Sequence, residues 1–277
     1  MRWRRLTANR LSFAALCVIA LIAASAVLAP WVAPHDPDET DEEAMLAGVS
    51  LRHPLGTDVY GRDQLSRLIH AGRIDLLIAL SATAVALTVG CALGTLAGYR
   101  GGWTDQAVMR AVDAVMAFPA FILAMGITAA LGNTTVNVAA AIAITHVPIY
   151  TRLIRGEMLK VRETEYAEAA RTVGNRPCQI VFVHLLPNCV PPLIVQATLA
   201  MGFAILTVAA LSFIGLGIQP PQSEWGQMTA EGAGYVVSGE WWLVLFPGLA
   251  IMLTVLAFNL VGDTLRDVLD PRMRGVR

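Results

Sequence analysis

The chain has 277 residues, 56% of them hydrophobic and only 15% charged, with a formal net charge of −1 and a mean hydropathy of +0.59. A soluble domain carries about 25% charged residues, so this chain has too few polar groups to cover a water-facing surface, and its near-neutral charge argues against a nucleic-acid partner. Four cysteines without a C-x-x-C pair and five scattered histidines without an i, i+4 pair leave a zinc ribbon, a redox pair and a metal-centred enzyme unsupported, and no metal-ligand set is expected.

A membrane-crossing helix needs about 20 mostly apolar residues. Six stretches qualify: 11–33, 76–97, 107–131, 136–154, 190–216 and 241–261. The expected fold class is therefore an all-α polytopic membrane protein with six transmembrane helices. The first stretch follows Arg2, Arg4, Arg5 and Arg10, as a signal peptide would. Its apolar run exceeds the roughly 7–15 residues of a signal h-region, so it reads as an uncleaved anchor.

Between the first two spans lies an acidic run, 36–43, followed by HPLGTDVYGRDQLSRLIHAGRID over 53–75. Leu65, Leu68, Ile69 and Gly72 recur there at helical spacing, with Arg62, Asp63, Ser66 and Arg67 on other faces. That pattern predicts an amphipathic helix at the outer interface leading into span two. In span three, Arg110 and Asp113 are placed to pair along one helix face. In span four, His146 is either a pathway-lining group or a packing histidine. Gly215, Gly217, Pro220 and Pro221 mark the outer end of span five. Glu224 and Trp225 follow as gate or docking candidates, although Trp225, Trp241 and Trp242 read equally as interface anchors. Asp263, Arg266, Asp267 and Asp270 form an interfacial cluster after the last span.

The basic residues set the orientation. Sixteen of the 20 Lys and Arg fall on the side of the two termini and of the loop 155–188, whereas 217–240 has none. Both termini are thus expected in the cytoplasm. The organisation reads as an anchor helix, outer loop and interfacial helix over 1–74, a transmembrane core over 75–266, and a tail over 267–277.

The loop 155–188 has structure of its own. MLKVRETEYAEAARTVG is rich in helix formers. Ala167, Ala170 and Gly174 share a face that another backbone can approach. Gly174 ends the helix, and Pro177 opens a second short one that runs toward His184 and stops before Pro187. On physical grounds alone this elbow is either a docking device or a loop packed on its own protein.

The string EAARTVGNRPCQIVFVHLLPN, residues 168–188, resembles the EAA loop of bacterial ABC importer permeases. That pattern is Glu-Ala-Ala, three residues, Gly, nine residues, an aliphatic residue, one residue, Leu-Pro. Glu168, Ala169, Ala170, Gly174, Leu186 and Pro187 fit it. His184 departs from the aliphatic position, but is similar to the dipeptide/oligopeptide/nickel branch, where His-x-Leu-Pro-Asn is usual. The segments starting at His53, Phe118, Leu211 and Ala257 (HPLGTDVYGRDQLSRL, FPAFILA, LSFIGLGIQPPQSEWGQM, AFNLVGDTLRDVLDPRMR) resemble the same branch, so the likeness covers nearly the whole chain. Asp75 departs from it, since a serine is usual there.

The resemblance implies a type I ABC importer permease fold in the bacterial inner membrane and a pathway for di- or oligopeptides. Nickel complexes or glutathione are the alternative cargo. Its partners would be a second permease subunit, two ABC ATPase subunits and an external solute-binding protein. ATPase coupling would fall to Tyr166, Glu168, Ala169, Ala170, Arg171, Gly174, His184 and Pro187, with His146 and Trp225 as pathway candidates. No P-loop is present: the only lysine, Lys160, follows Leu159, whereas the loop needs Gly-Lys-Ser/Thr. ATP and Mg are accordingly expected on partner ATPases, with no cofactor and no catalytic residue in this chain. An ion-coupled secondary transporter is the competing class, but no internal repeat is evident.

Overall fold

The computed structural model describes residues 10–269. The terminal arginines Arg2, Arg4, Arg5, Arg272, Arg274 and Arg277, together with Asp270, lie outside them. Among the described residues the regular elements are helical, with one isolated β-bridge between Thr57 and Asp63. In chain order they are α1 (Arg10–Val27), α2 (Ala29–Val32), α3 (Gln64–Arg100), α4 (Gly102–Met116), α5 (Ala120–Leu131), α6 (Thr135–Val161), α7 (Glu165–Thr172), α8 (Pro177–Phe213), α9 (Trp225–Ala233) and α10 (Trp242–Leu269). Helices α1, α3, α6, α8 and α10 are each long and apolar enough to cross a membrane, and α4 with α5 supplies a sixth crossing as a pair bent by 85°.

That bend replaces the straight span expected over 107–131. Pro119 has φ −56° and ψ 126° and precedes the first residue of α5. It lacks an N–H, and its ring excludes Phe118 from continuing the helix. Ala117 and Phe118 instead turn their N–H groups back to the carbonyls of Asp113 and Val115. The expected Arg110–Asp113 pair is not formed either. Asp113 pairs with Arg152 of α6 at 2.7 Å, because the packed neighbouring helix offers a nearer cation than the next turn of its own.

The bundle is organised on a seam between α3 and α6. Gly90, Gly94 and Gly98 line one face of α3 every fourth residue, the small-residue spacing that lets helix backbones approach. A Cβ would lie 2.5 Å from the Tyr150 Cβ at Gly90, 2.5 Å from the Thr151 carbonyl oxygen at Gly94, and 2.8 Å from the Met158 Cβ at Gly98. Tyr150, Ile154 and Met158 are fully buried opposite. Lipid is as apolar as these side chains, so close van der Waals contact, rather than escape from water, holds the pair together.

At one end of the bundle, residues 34–63 fold into a plug over the start of α3. Thr57 donates its hydroxyl to Ala44 and accepts from the Ala47 N–H at 2.8 Å. The Trp242 indole donates to the Thr57 carbonyl at 3.2 Å. The segment expected as a separate interfacial helix is the first part of α3, and its polar residues do not face solvent. Arg62, Asp63, Ser66 and Arg67 are all buried. Arg67 donates to Asp58, to Glu231 of α9 at 3.2 Å and to Ser223 at 3.2 Å. A guanidinium stripped of water is costly to bury without such partners, so Arg67 ties plug, α3 and α9 into one unit. The amphipathic spacing was real, but its polar side meets the plug.

Asp75, in α3, is fully buried, and so is Glu224. Glu224 caps α9 by accepting the N–H groups of Gly226 and Gln227, both at 2.8 Å. Asp75 accepts the Trp225 N–H at 3.2 Å on one oxygen, and its other oxygen has no donor among the described residues. Neither carboxyl group has a cation in ion-pair reach there. Asp75 and Glu224 thus meet at the first residues of α9 and join α3 to it.

Gly94→Val drives a branched side chain into the Thr151 carbonyl, and overpacking of this kind costs about 1–3 kcal/mol; a lowered melting temperature in detergent measures it.

Candidate functional site

At the opposite end, α6 leads through α7 and a tight turn into α8. Helix α7 is short because its signals are local. Thr164 precedes it in extended conformation, Glu165 and Glu168 sit in its first turn and Arg171 in its last, and Gly174 closes it. Gly174 has φ +85°. The Gly174 N–H donates to the Arg171 carbonyl at 3.0 Å and the Asn175 N–H to the Ala170 carbonyl at 3.3 Å. These are the paired bonds of a Schellman turn, which requires the left-handed conformation that glycine adopts at least cost.

Beyond the turn, Pro177 opens α8 and a π-helical turn occupies Ile180–Leu185. The Leu186 N–H reaches back five residues to the Val181 carbonyl. The cause is Pro187: in a regular α-helix its ring would press on the carbonyl four residues earlier, and the wider π turn relieves the clash. The Asn175 side-chain amide donates to His184 Nε2 at 3.4 Å, and the Asn188 amide donates to the His184 carbonyl at 2.7 Å. His184 thus fastens the turn to the second arm of the elbow.

The predicted coupling residues divide into two sets. Tyr166, Glu168, Ala169, Arg171, Gly174 and Pro187 are exposed. Ala167 and Ala170 are buried, so the smooth alanine stripe is spent on packing α7 against its own protein, and Ala170 acts within the elbow. Three contacts hold the elbow to the bundle. Arg171 donates to the Arg162 carbonyl at 3.1 Å, Arg162 donates to the Gly98 carbonyl at 2.8 Å, and Arg155 forks onto both oxygens of Asp105. Sequence reading missed Arg155, Arg162 and Asn175 as positioning residues. Gly98 as acceptor follows from the seam, since its carbonyl lies where α3 ends beside α6.

The two pathway candidates lie elsewhere. His146 is half-buried in α6 and bonds through Nδ1 to the Ile142 carbonyl at 2.9 Å. Trp225 is 2% exposed, and its indole donates to the Leu68 carbonyl at 3.0 Å. It is therefore a packing residue between α9 and α3, not a surface anchor. Between α3 and α8 runs an apolar groove of about 970 Å3, bordered by Leu80, Leu87, Cys91, Val181, Phe182 and Leu193. It opens beside the elbow, where Pro177 and Cys178 border it.

Comparison with known proteins places these features. The family described as binding-protein-dependent transport system inner membrane component matches residues 90–275, and the N-terminal TM domain of oligopeptide transport permease C matches residues 1–51. The chain is 44% identical to the di/tripeptide transport system permease protein DppC of Pseudomonas aeruginosa, over 98% of this chain and 91% of the relative. It is 43% identical to the dipeptide transport system permease protein DppC of Alkalihalophilus pseudofirmus, over 98% and 89%. Among solved structures, an inward-facing form of the MetNI methionine ABC transporter superposes with a TM-score of 0.57 at 21% identity. It covers 73% of this chain and 96% of that one, an agreement of fold.

The turn can be tested by itself. Nothing lies within 4 Å of a Cβ placed on Gly174, so Gly174→Ala is opposed by backbone conformation alone, at about 1 kcal/mol. Amide exchange at positions 174 and 175 is expected to quicken about fivefold, with the spans unchanged, as read by hydrogen-exchange mass spectrometry.

Proposed function

The chain belongs to the binding-protein-dependent transport system inner membrane component family, and from that premise we propose that it forms half of the translocation pathway for di- and oligopeptides in an ATP-driven importer and is driven through its elbow. Family membership displaces the ion-coupled secondary transporter as a reading. The peptide cargo is supported by the two relatives whose names specify dipeptides or tripeptides and which match almost end to end.

The observation that carries the coupling reading is the construction of the elbow. Its inner alanines are buried, its turn is closed by a Schellman pair, and Tyr166, Glu168 and Ala169 are left outward beside Arg171, which is exposed while it holds the Arg162 carbonyl. Such a knob suits a cleft on an ATPase subunit. In this reading the loop end and both termini face the cytoplasm, as the placement of Lys and Arg indicates. ATP and Mg are held by two partner ATPases, and hydrolysis happens there. A second permease covers the apolar groove between α3 and α8, and an external binding protein delivers cargo at the plug end.

Transmission follows from connectivity. The elbow is continuous with α6 and α8, and it is fastened to α3 through Arg162 and Gly98 and to α4 through Arg155 and Asp105. A displacement of the elbow moves these helices as packed bodies. Each nucleotide state of the ATPases then selects one of two arrangements. Glu168 and Arg171 contact the ATPase, while His184 and Pro187 keep the angle between the elbow's arms.

Co-purification tests this. The tagged parent chain, extracted gently from membranes, is expected to bring down two P-loop ATPases and a second permease, and to support uptake of a labelled dipeptide. Gly174→Asp is expected to remain in the membrane, lose the ATPases and abolish uptake. A Gly174→Asp protein that retained both would overturn the elbow as the coupling element. Normal ATPase capture with no dipeptide uptake by the parent would overturn only the cargo.

A further inference from the structure

The histidines that look scattered in the sequence are not all scattered in space. His35 follows α2, His53 lies in the plug, and Asp63 caps α3. One ligand atom from each lies within 4.8 Å of the other two. His53 Nδ1 is 2.9 Å from Asp63 Oδ1 and His35 Nδ1 is 3.7 Å from the same oxygen, with the two ring centres 5.0 Å apart. Asp63 uses its other oxygen for the cap, accepting the Ser66 N–H and hydroxyl, both at 2.8 Å. Its Oδ1 is thus left facing the two imidazoles.

Three features favour an ion here. His53 and Asp63 are buried, and the His35 side chain is 31% exposed, giving a way in. One imidazole nitrogen of the set, His35 Nδ1, is buried without a hydrogen-bond partner among the described residues; a polar atom so placed is rare in folded proteins. The spacing also fits. Around a tetrahedral ion with ligand bonds of about 2.0–2.1 Å, neighbouring donor atoms stand roughly 3.3 Å apart, and the two measured separations fall on either side of that distance.

We propose that His35, His53 and Asp63 form a binding site for a first-row divalent cation of the zinc class, joining the plug to the start of α3. Two imidazoles and one carboxylate suit zinc, nickel or cobalt and discriminate against magnesium and calcium, which take oxygen donors. On binding, the ion takes the place of the proton between His53 Nδ1 and Asp63 Oδ1, and that proton leaves to solvent. Three protein ligands leave a fourth position for water or an outside donor on the open His35 side. The ion pins residues 18 positions apart to the cap of α3, so its effect is on the plug rather than on the elbow.

The test uses the full chain in its membrane assembly, stripped with chelator and then titrated with cobalt and zinc. Expected are one equivalent bound per chain, the absorption bands of tetrahedral cobalt, and a melting temperature raised by zinc but not by magnesium. His35→Ala, at the most exposed ligand and away from the helix cap, is expected to fold, to lose the cobalt bands and to lose the zinc-dependent rise. His35→Cys supplies a substitute donor and is expected to restore binding with a sulfur-to-cobalt charge-transfer band. Absence of stoichiometric binding in the parent, or equal binding by His35→Ala, overturns the site.

Discussion

The approach of α3 to α6 is the constraint on which the other features depend. Three glycines at four-residue spacing remove the side chains that would hold the helices apart, and Tyr150, Ile154 and Met158 close over the backbone they expose. In lipid the hydrophobic effect does not choose which helices associate, because every apolar face is equally solvated. Surface fit does. The seam runs the length of the bundle toward the elbow, and its last glycine offers the carbonyl that Arg162 grips. The elbow's position is thereby referenced to α3 as well as to the two helices that carry it.

The two ends of the bundle solve opposite problems. The plug end buries charge and polar groups: Arg67 is enclosed with Asp58 and Glu231, and Asp75 and Glu224 are buried where α3 meets α9. Buried polar networks of this sort add little net stability but penalise any arrangement that leaves a member unpaired. They therefore fix the register of plug, α3 and α9. The loop end leaves its polar groups outward and uses short hydrogen-bonded turns to hold their geometry. A surface meant to be gripped by a partner needs defined shape and unspent side chains, which the elbow provides.

Much of this protein is legible in one dimension. Six apolar stretches, the placement of basic residues and the Glu-Ala-Ala-x3-Gly pattern depend on composition and on near neighbours. So do the closure of α7 at Gly174 and the opening of α8 at Pro177. Even the bend at Pro119 is a local matter, since proline alone imposes it. What only the tertiary structure decided is which distant groups meet. Arg67 became a buried keystone, Asp113 paired with Arg152 instead of Arg110, Trp225 turned inward, and His35 and His53 converged on Asp63. Periodicity says that a side of a helix is polar, but not whether water or another part of the chain stands against it. That choice rests on the packing of helices far apart in sequence, and no local spacing encodes it.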